Sequence, residues 1–287
     1  MEGTIVKGIG GLYFVSTEEG IHECKARGKF RHKGLKPIIG DEVIIEKDGD
    51  EGVITDILPR RNQLLRPVVS NVTQAFVVVT FKNPDLNEEL LYKFLLLCEY
   101  NKVRPVICFN KMDLCEGESL PMGENLKDIG YEVLYIQGKN GVGIAGLKER
   151  IDNNITVFCG PSGVGKSTIL NQIIGREAMK TGEISDKLKR GKHTTRHSEL
   201  MPVQHGFLVD TPGFSSLELD FIEKEELKYL FPEFEDYENQ CRFNNCMHHK
   251  EPSCAVKEAL EEGKIKRDRY DFYIKTLNEI MSRGNRK

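Results

Sequence analysis

No stretch of this chain reaches 18 apolar residues, so no membrane-spanning helix is expected. The opening Met1-Glu2-Gly3-Thr4 lacks a basic run followed by an apolar core, so no export signal is expected either. A large net charge is also missing. The 41 Lys and Arg against 44 Asp and Glu leave −3 at pH 7. A chain so balanced is not a general polyanion binder, and any nucleic-acid contact must be a local patch. Nor is the composition that of a disordered chain, since 39% apolar and 30% charged residues support packed cores. The length of 287 residues suggests about two domains, or three if some are small. The expectation is a cytoplasmic protein with no membrane contact.

The eight cysteines form no disulfide framework. Cys24, Cys98, Cys108, Cys115 and Cys159 are scattered, and Cys98, Cys108 and Cys159 sit in apolar runs. In a reducing compartment they read as small buried hydrophobes. Cys241, Cys246 and Cys254 cluster.

Residues 1–67 show no helical period. Short β-branched or aromatic runs at 12–16, 21–25, 43–46 and 52–57 are separated by turn residues such as Gly40-Asp41 and Asp48-Gly49. This predicts a small antiparallel barrel or sandwich; a five-stranded OB-like β-barrel fits the size, a type that often binds nucleic acid. Between two of these runs, residues 25–36 carry six Lys or Arg and no acid, with Phe30 in the middle. A basic loop with one aromatic to stack suits a phosphate backbone, although a solvated hairpin would look similar. Residues 60–67 read as a basic connector that ends at Pro67.

From about residue 68 to 222 strands and helices alternate, which predicts an α/β sheet covered by helices. Ligands of such sheets sit at the carboxyl ends of the strands. The apolar run Thr156-Val157-Phe158-Cys159 leads into Gly160-Pro161-Ser162-Gly163-Val164-Gly165-Lys166-Ser167, and Thr168 opens a helical pattern. Glycines let backbone N–H groups curl round an anion, and the helix N-terminus adds partial positive charge. Lys166 is placed for the β- and γ-phosphates and the Ser167 hydroxyl for Mg²⁺. After the strand 106–109 comes Asn110-Lys111-Met112-Asp113. A carboxylate at Asp113 can accept guanine N1–H and N2–H, for which adenine has no matching donors. Asn110 can hold neighbouring loops, and the Lys111 stem can cover the base face. Gln137-Gly138-Lys139 ends another strand and can cradle the base from its other side. After 207–209 comes Asp210-Thr211-Pro212-Gly213. Asp210 can hold Mg²⁺ through water, and the Gly213 N–H can meet the γ-phosphate.

Residues 185–198 form a basic segment without apolar period that contains His193-Thr194-Thr195. It is expected to be a mobile loop in which a threonine, Thr195 ahead of Thr194, completes the Mg²⁺ shell. Many GTPases place a Gln directly after D-x-x-G to orient water. Here the residue is Phe214, so intrinsic hydrolysis should be slow until another group is supplied. His193 is the internal candidate, with RNA or a bound cation as the alternatives.

Residues 223–287 contain Cys241-x₄-Cys246, then His248 and His249, then Cys254. Three thiolates and one imidazole suit tetrahedral Zn²⁺ with no open position, a structural ion stapling a domain too small to hold itself. Residues 222–230, 254–262 and 266–281 have helical patterns. Lys264, Lys266, Arg267 and Arg269 suggest a second basic patch that could grip RNA with the barrel loop, or a solvated helix face.

In ordinary small GTPases the phosphate loop comes first and Asn-Lys-x-Asp near the end. Here Asn110–Asp113 precedes Gly160–Ser167, and Asp210–Gly213 comes last. That is a circular permutation, and it makes the γ-phosphate sensor lead straight into the C-terminal domain. The permuted order, with a barrel in front and a Cys/His cluster behind, resembles the ribosome small-subunit-dependent GTPases of the RsgA (YjeQ/YloQ) type over essentially the whole chain. The resemblance implies three parts: an OB-like RNA-binding barrel at 1–67, a permuted GTPase domain at 68–222 and a zinc-binding helical domain at 223–287. It also implies a monomer that binds GTP or GDP with Mg²⁺, holds one zinc ion and engages the small ribosomal subunit and its rRNA late in maturation. GTP hydrolysis is expected to be stimulated by that subunit. The family's spacing selects His248 over His249 as the fourth zinc ligand. Relatives often show Ser-Ala-Lys where this chain has Gln137-Gly138-Lys139. The rival readings are a tRNA-modification or translation GTPase, a zinc-stabilised RNA-binding module whose affinity GTP sets, and an ATP enzyme.

Overall fold

The computed structural model describes residues 1–28, 30, 35–48, 51–116, 118–175, 198–210 and 218–284. Strands β1 (Glu2–Ile9), β2 (Leu12–Thr17), β3 (Gly20–Ala26), β4 (Glu42–Asp48) and β5 (Glu51–Ile57) close into a barrel in the order β1-β2-β3-β5-β4. Alternate residues fill it, with Ile5, Val15, Cys24, Val43, Ile45 and Ile54 all fully buried. The first strand was missed from sequence because it does not alternate. A bulge between Ile5 and Lys7 shifts its register against β2 and sends Val6 out of the barrel core into the core of the next domain.

Phe30 corrects an expectation. It is 4% exposed and packs in the barrel core, so it is not free to stack on a base. Of the rest of the basic segment, residues 29 and 31–34 lie outside the described residues. The basic connector is in fact a hairpin, β6 (Gln63–Leu65) and β7 (Val68–Ser70), with the expected 67/68 division in its turn. Arg60, just before it, is committed internally. The guanidinium donates to both oxygens of fully buried Asp41 at 2.7 and 2.8 Å, and Ser70 Oγ donates to the same carboxylate at 2.6 Å.

The second domain is a six-stranded sheet built from β8 (Gln74–Thr80), β9 (Arg104–Asn110), β10 (Glu132–Tyr135), β11 (Ile155–Cys159), β12 (Leu200–Val203) and β13 (Gly206–Val209). The order is β10-β9-β8-β11-β13-β12, parallel except for edge strand β12. Both faces are covered, which is why β8 reads as an unbroken apolar run. Its Phe76 and Val78 face α3 (Ile144–Ile151) and α4 (Lys166–Ile174), while Ala75, Val77 and Val79 face α1 (Glu88–Tyr100). Helix α1 starts where Asn87 Oδ1 accepts the Leu90 N–H at 2.9 Å, with Glu88 and Glu89 in the first turn. The predicted helix near 120–129 is α2 (Pro121–Asp128).

The C-terminal region packs on α1 through α5 (Ala255–Glu261) and α6 (Arg267–Gly284). Tyr92 donates to Asp268, and Lys275 pairs with Glu89 at 2.6 Å. The helix expected over 222–230 does not form. Only Leu227–Leu230 winds, as a 3₁₀ turn, and Pro232 starts a second at Pro232–Tyr237. One member of the second basic patch is corrected, while Lys264 and Arg267 are exposed as expected. Arg269 is 2% exposed, pairs with Glu233 at 2.6 and 3.1 Å, and lies over the rings of Tyr92 and Phe231. Lys264 and Lys266 pair with Glu262 and Asp128. No helix among the described residues is long and apolar enough to cross a membrane.

Candidate nucleotide site and metal cluster

Because β10, β9, β8, β11 and β13 are parallel, the segments after them leave the sheet along one edge. That edge collects Gly138, Asn110–Asp113, Gly160–Ser167 and Asp210, although they are spread over about a hundred residues of sequence. The chain order of the strands against their sheet order is the permuted arrangement expected from the motifs.

Asn110 joins two of these segments. It is 4% exposed, at the end of β9. Its Nδ2 donates to the Val164 carbonyl at 2.8 Å, and its Oδ1 accepts the Gly138 N–H at 2.8 Å. One buried amide thus fixes the distance between the phosphate loop and the loop after β10. Lys111 adds a second link. It sits in the left-handed region at φ 61°, and its Nζ donates to the Gly163 carbonyl at 2.9 Å and to the Asn83 carbonyl. Asp113 follows on a 3₁₀ turn at Met112–Leu114 and is exposed toward solvent. A Cβ at Gly138 would lie 2.9 Å from Ile169 Cγ1 and 3.3 Å from Asn110 Oδ1, so a larger residue there requires a shift of these side chains.

The phosphate loop is shaped by glycine. Gly160 has φ 129°, and a Cβ there would meet the Val78 carbonyl oxygen at 2.0 Å. Gly165 has φ 96°, and a Cβ there would meet Asn110 Nδ2 at 2.5 Å. Val164 between them is fully buried and pins the loop to the core. Pro161 is half-buried, while Ser162, Gly163, Ser167 and Thr168 are exposed, the last two in the first turn of α4. The Lys166 ammonium donates to the Gly160 and Pro161 carbonyls at 2.8 and 2.6 Å. Burial pulls its pKa below the ordinary lysine value. Glycine turns, a lysine and a helix N-terminus are the features that an anion cradle needs.

Asp210 follows β13, on the other side of the phosphate-loop strand from β8. Its N–H donates to the Glu199 carbonyl at 3.0 Å, and its Oδ1 accepts the Glu199 N–H at 3.0 Å. The sequence reading missed Glu199. His193, Thr194, Thr195 and Gly213 lie outside the described residues.

The second cluster holds Cys241, Cys246, His248 and Cys254, with all four ligand atoms within 4.8 Å of one another. Cys241 Sγ lies 3.8 Å from Cys254 Sγ, the spacing of about 3.8 Å that two thiolates take around one tetrahedral Zn²⁺. His248 Nδ1 is 3.6 Å from Cys241 Sγ and 3.3 Å from Cys254 Sγ. His248, not His249, therefore faces the thiols. Burial and the nearby Lys228 charge pull the His248 imidazole down to about 4, which keeps it neutral and able to ligate. Burial above all pushes the Cys254 thiol up to about 12, so ionising these thiols calls for a cation among them. Backbone groups around the ligands are held by side chains. Tyr270 and Tyr273 donate to the His248 and Met247 carbonyls at 2.6 Å each, and Glu251 accepts the Met247 and His249 N–H groups at 2.9 and 2.8 Å. The donor set fits zinc.

Comparison with known proteins agrees with this architecture. The sequence model of the RsgA N-terminal domain matches residues 2–54, and that of the RsgA GTPase matches residues 57–220. A Clostridium perfringens protein named small ribosomal subunit biogenesis GTPase RsgA is 61% identical over 287 residues, covering 99% of this chain and 100% of the relative. A Clostridium kluyveri protein of the same name is 57% identical over 284 residues and 99% of each chain. The crystal structure of YloQ, described as a circularly permuted GTPase, superposes with a TM-score of 0.86 at 37% identity, covering 98% of this chain and 95% of that one. YjeQ from Thermotoga maritima gives 0.84 at 39% identity over 98% of both. Barrel, permuted sheet and thiol cluster thus stand in one order along a chain matched at full length, and the chain belongs to the RsgA GTPase family.

Proposed function

We propose that this protein hydrolyses GTP and binds the small ribosomal subunit late in its maturation, with nucleotide state controlling its hold on rRNA. In this reading residues 1–67, 68–222 and 223–287 are the RNA-binding, GTPase and zinc-binding parts of a cytoplasmic monomer. Asp113 reads guanine, Lys111 covers the base, and Asn110 keeps the base-reading loops in register with the phosphate loop. Backbone groups of Gly160–Gly165, with Lys166 and Thr168, hold the phosphates. Ser167, Asp210 and Thr195 would hold Mg²⁺, which when bound neutralises charge on the β- and γ-phosphate oxygens. Gly213 senses the γ-phosphate, and His193 orients the attacking water. Cys241, Cys246, His248 and Cys254 would hold one structural zinc ion.

The observation that carries the proposal is the Asn110 bridge. A base-reading motif and a phosphate cradle separated by 54 residues share one buried amide, so one nucleotide can span both. The clostridial relatives' name supplies the ribosomal partner. The test is phosphate release from GTP with and without purified small subunits, together with co-sedimentation in GTP analogue and GDP. Stimulated release and nucleotide-dependent co-sedimentation are expected. An unchanged rate with GTP-dependent RNA binding would favour a GTP-regulated RNA-binding module instead.

A further inference from the structure

A chain of contacts runs from the barrel to the proposed magnesium carboxylate. The bulge in β1 between Ile5 and Lys7 throws Val6 into the GTPase-side core and leaves Lys7 beside edge strand β12. Bulges commonly re-aim a side chain next to an active site. Here Lys7 Nζ lies 3.2 Å from Glu199 Oε1, with the two side chains 30% and 27% exposed. Its ammonium is also 5.9 Å from the Phe14 ring centre on β2, which steadies the lysine from the barrel side. Glu199 directly precedes β12 and clasps Asp210 by two hydrogen bonds of 3.0 Å from its own backbone. One of them ends on the Asp210 carboxylate itself. With Oδ1 held by the Glu199 N–H, the orientation of the carboxylate is tied to the Glu199 backbone.

We propose that Lys7 and Glu199 are positioning residues for GTP hydrolysis: the barrel, through this ion pair, sets the orientation of Asp210 and thereby the magnesium affinity of the bound nucleotide. A partner that displaces the barrel from β12 acts on Asp210 without touching the nucleotide. The proposal rests on the assignment of Asp210 to magnesium made above.

The test compares Lys7→Met, Glu199→Gln, Asp210→Asn and the swap Lys7→Glu with Glu199→Lys, all in the full chain. A fluorescent GTP analogue is titrated with Mg²⁺, and thermal unfolding is followed in parallel. Each single change at Lys7 or Glu199 should weaken apparent Mg²⁺ affinity about fivefold, the size a half-buried ion pair can supply. Affinity for the magnesium-free nucleotide and the unfolding temperature should stay near wild type, and the swap should recover most of the loss. Stimulation by small subunits should fall in the singles and return in the swap. Unchanged Mg²⁺ affinity in the singles while Asp210→Asn abolishes it would overturn the relay and leave the site assignment standing. Unchanged Mg²⁺ affinity in Asp210→Asn as well would overturn the assignment. Loss in the singles that the swap does not recover, with folding intact, would also overturn the relay.

Discussion

Replacing Asn110 with alanine is the perturbation for which the structure gives the clearest magnitude. The side chain is 4% exposed and makes two hydrogen bonds of 2.8 Å, to the Val164 carbonyl and from the Gly138 N–H. Truncation leaves both backbone groups without their partner. Each buried orphan costs about 1–3 kcal/mol, so the total is roughly 2–6 kcal/mol. Water entering from the exposed side of the loop recovers part of that. The remainder is divided between the free protein and the nucleotide complex, because the bond sets the spacing of two loops that the ligand must bridge. About 2 kcal/mol in the complex corresponds to roughly 30-fold weaker GDP binding. Fluorescent GDP titration measures this, and thermal unfolding of the nucleotide-free chain measures the rest. GDP affinity unchanged in a folded Asn110→Ala protein would refute the view that this amide holds the site together.

Other changes probe separate parts of the account. Asp113→Asn removes two charge-assisted acceptors and should lower GTP affinity by a hundredfold or more, at about 1.5–3 kcal/mol per bond, while ATP affinity stays weak; competition binding reads this. Gly165→Ala should abolish nucleotide binding through the 2.5 Å clash with Asn110 Nδ2, and an isothermal titration showing wild-type affinity would contradict the loop geometry. Cys246→Ala or stripping with a strong chelator should release one zinc equivalent, measured with a metallochromic dye, and lower the unfolding temperature of the C-terminal region without changing GDP affinity. Arg269→Ala leaves Glu233 buried and unpaired, and denaturant unfolding should show a loss of about 3–5 kcal/mol.

The sequence was most legible where chemistry demands particular residues in order. The glycine loop, Asn110–Asp113 and the thiol cluster each need fixed residue types at fixed spacing, and the structure puts each in one place. The covered parallel strands were legible for a related reason, since a strand buried on both faces has no alternation to misread. The failures have physical causes. Strand β1 lost its alternation to a bulge. Phe30 looked like a stacking residue because a basic run surrounds it, yet a barrel of this size needs a plug. Arg269 looked like surface charge because nothing in sequence announces Glu233, 36 residues earlier, as its partner. Residues 222–230 had helical spacing, but Pro232 follows too soon for an α-helix to pack there. Glu199 meets Asp210 through its backbone, a contact that no side-chain motif records.

The central claim is that Asp113 and Lys166 serve one guanosine nucleotide across the carboxyl edge of the sheet. A crystal structure with a non-hydrolysable GTP analogue tests it directly. The account expects guanine N1 and N2 on the Asp113 carboxylate and the terminal phosphates within hydrogen-bond distance of Lys166 in a single molecule. A nucleotide seated with its base elsewhere, or its phosphates away from residues 160–167, would contradict it.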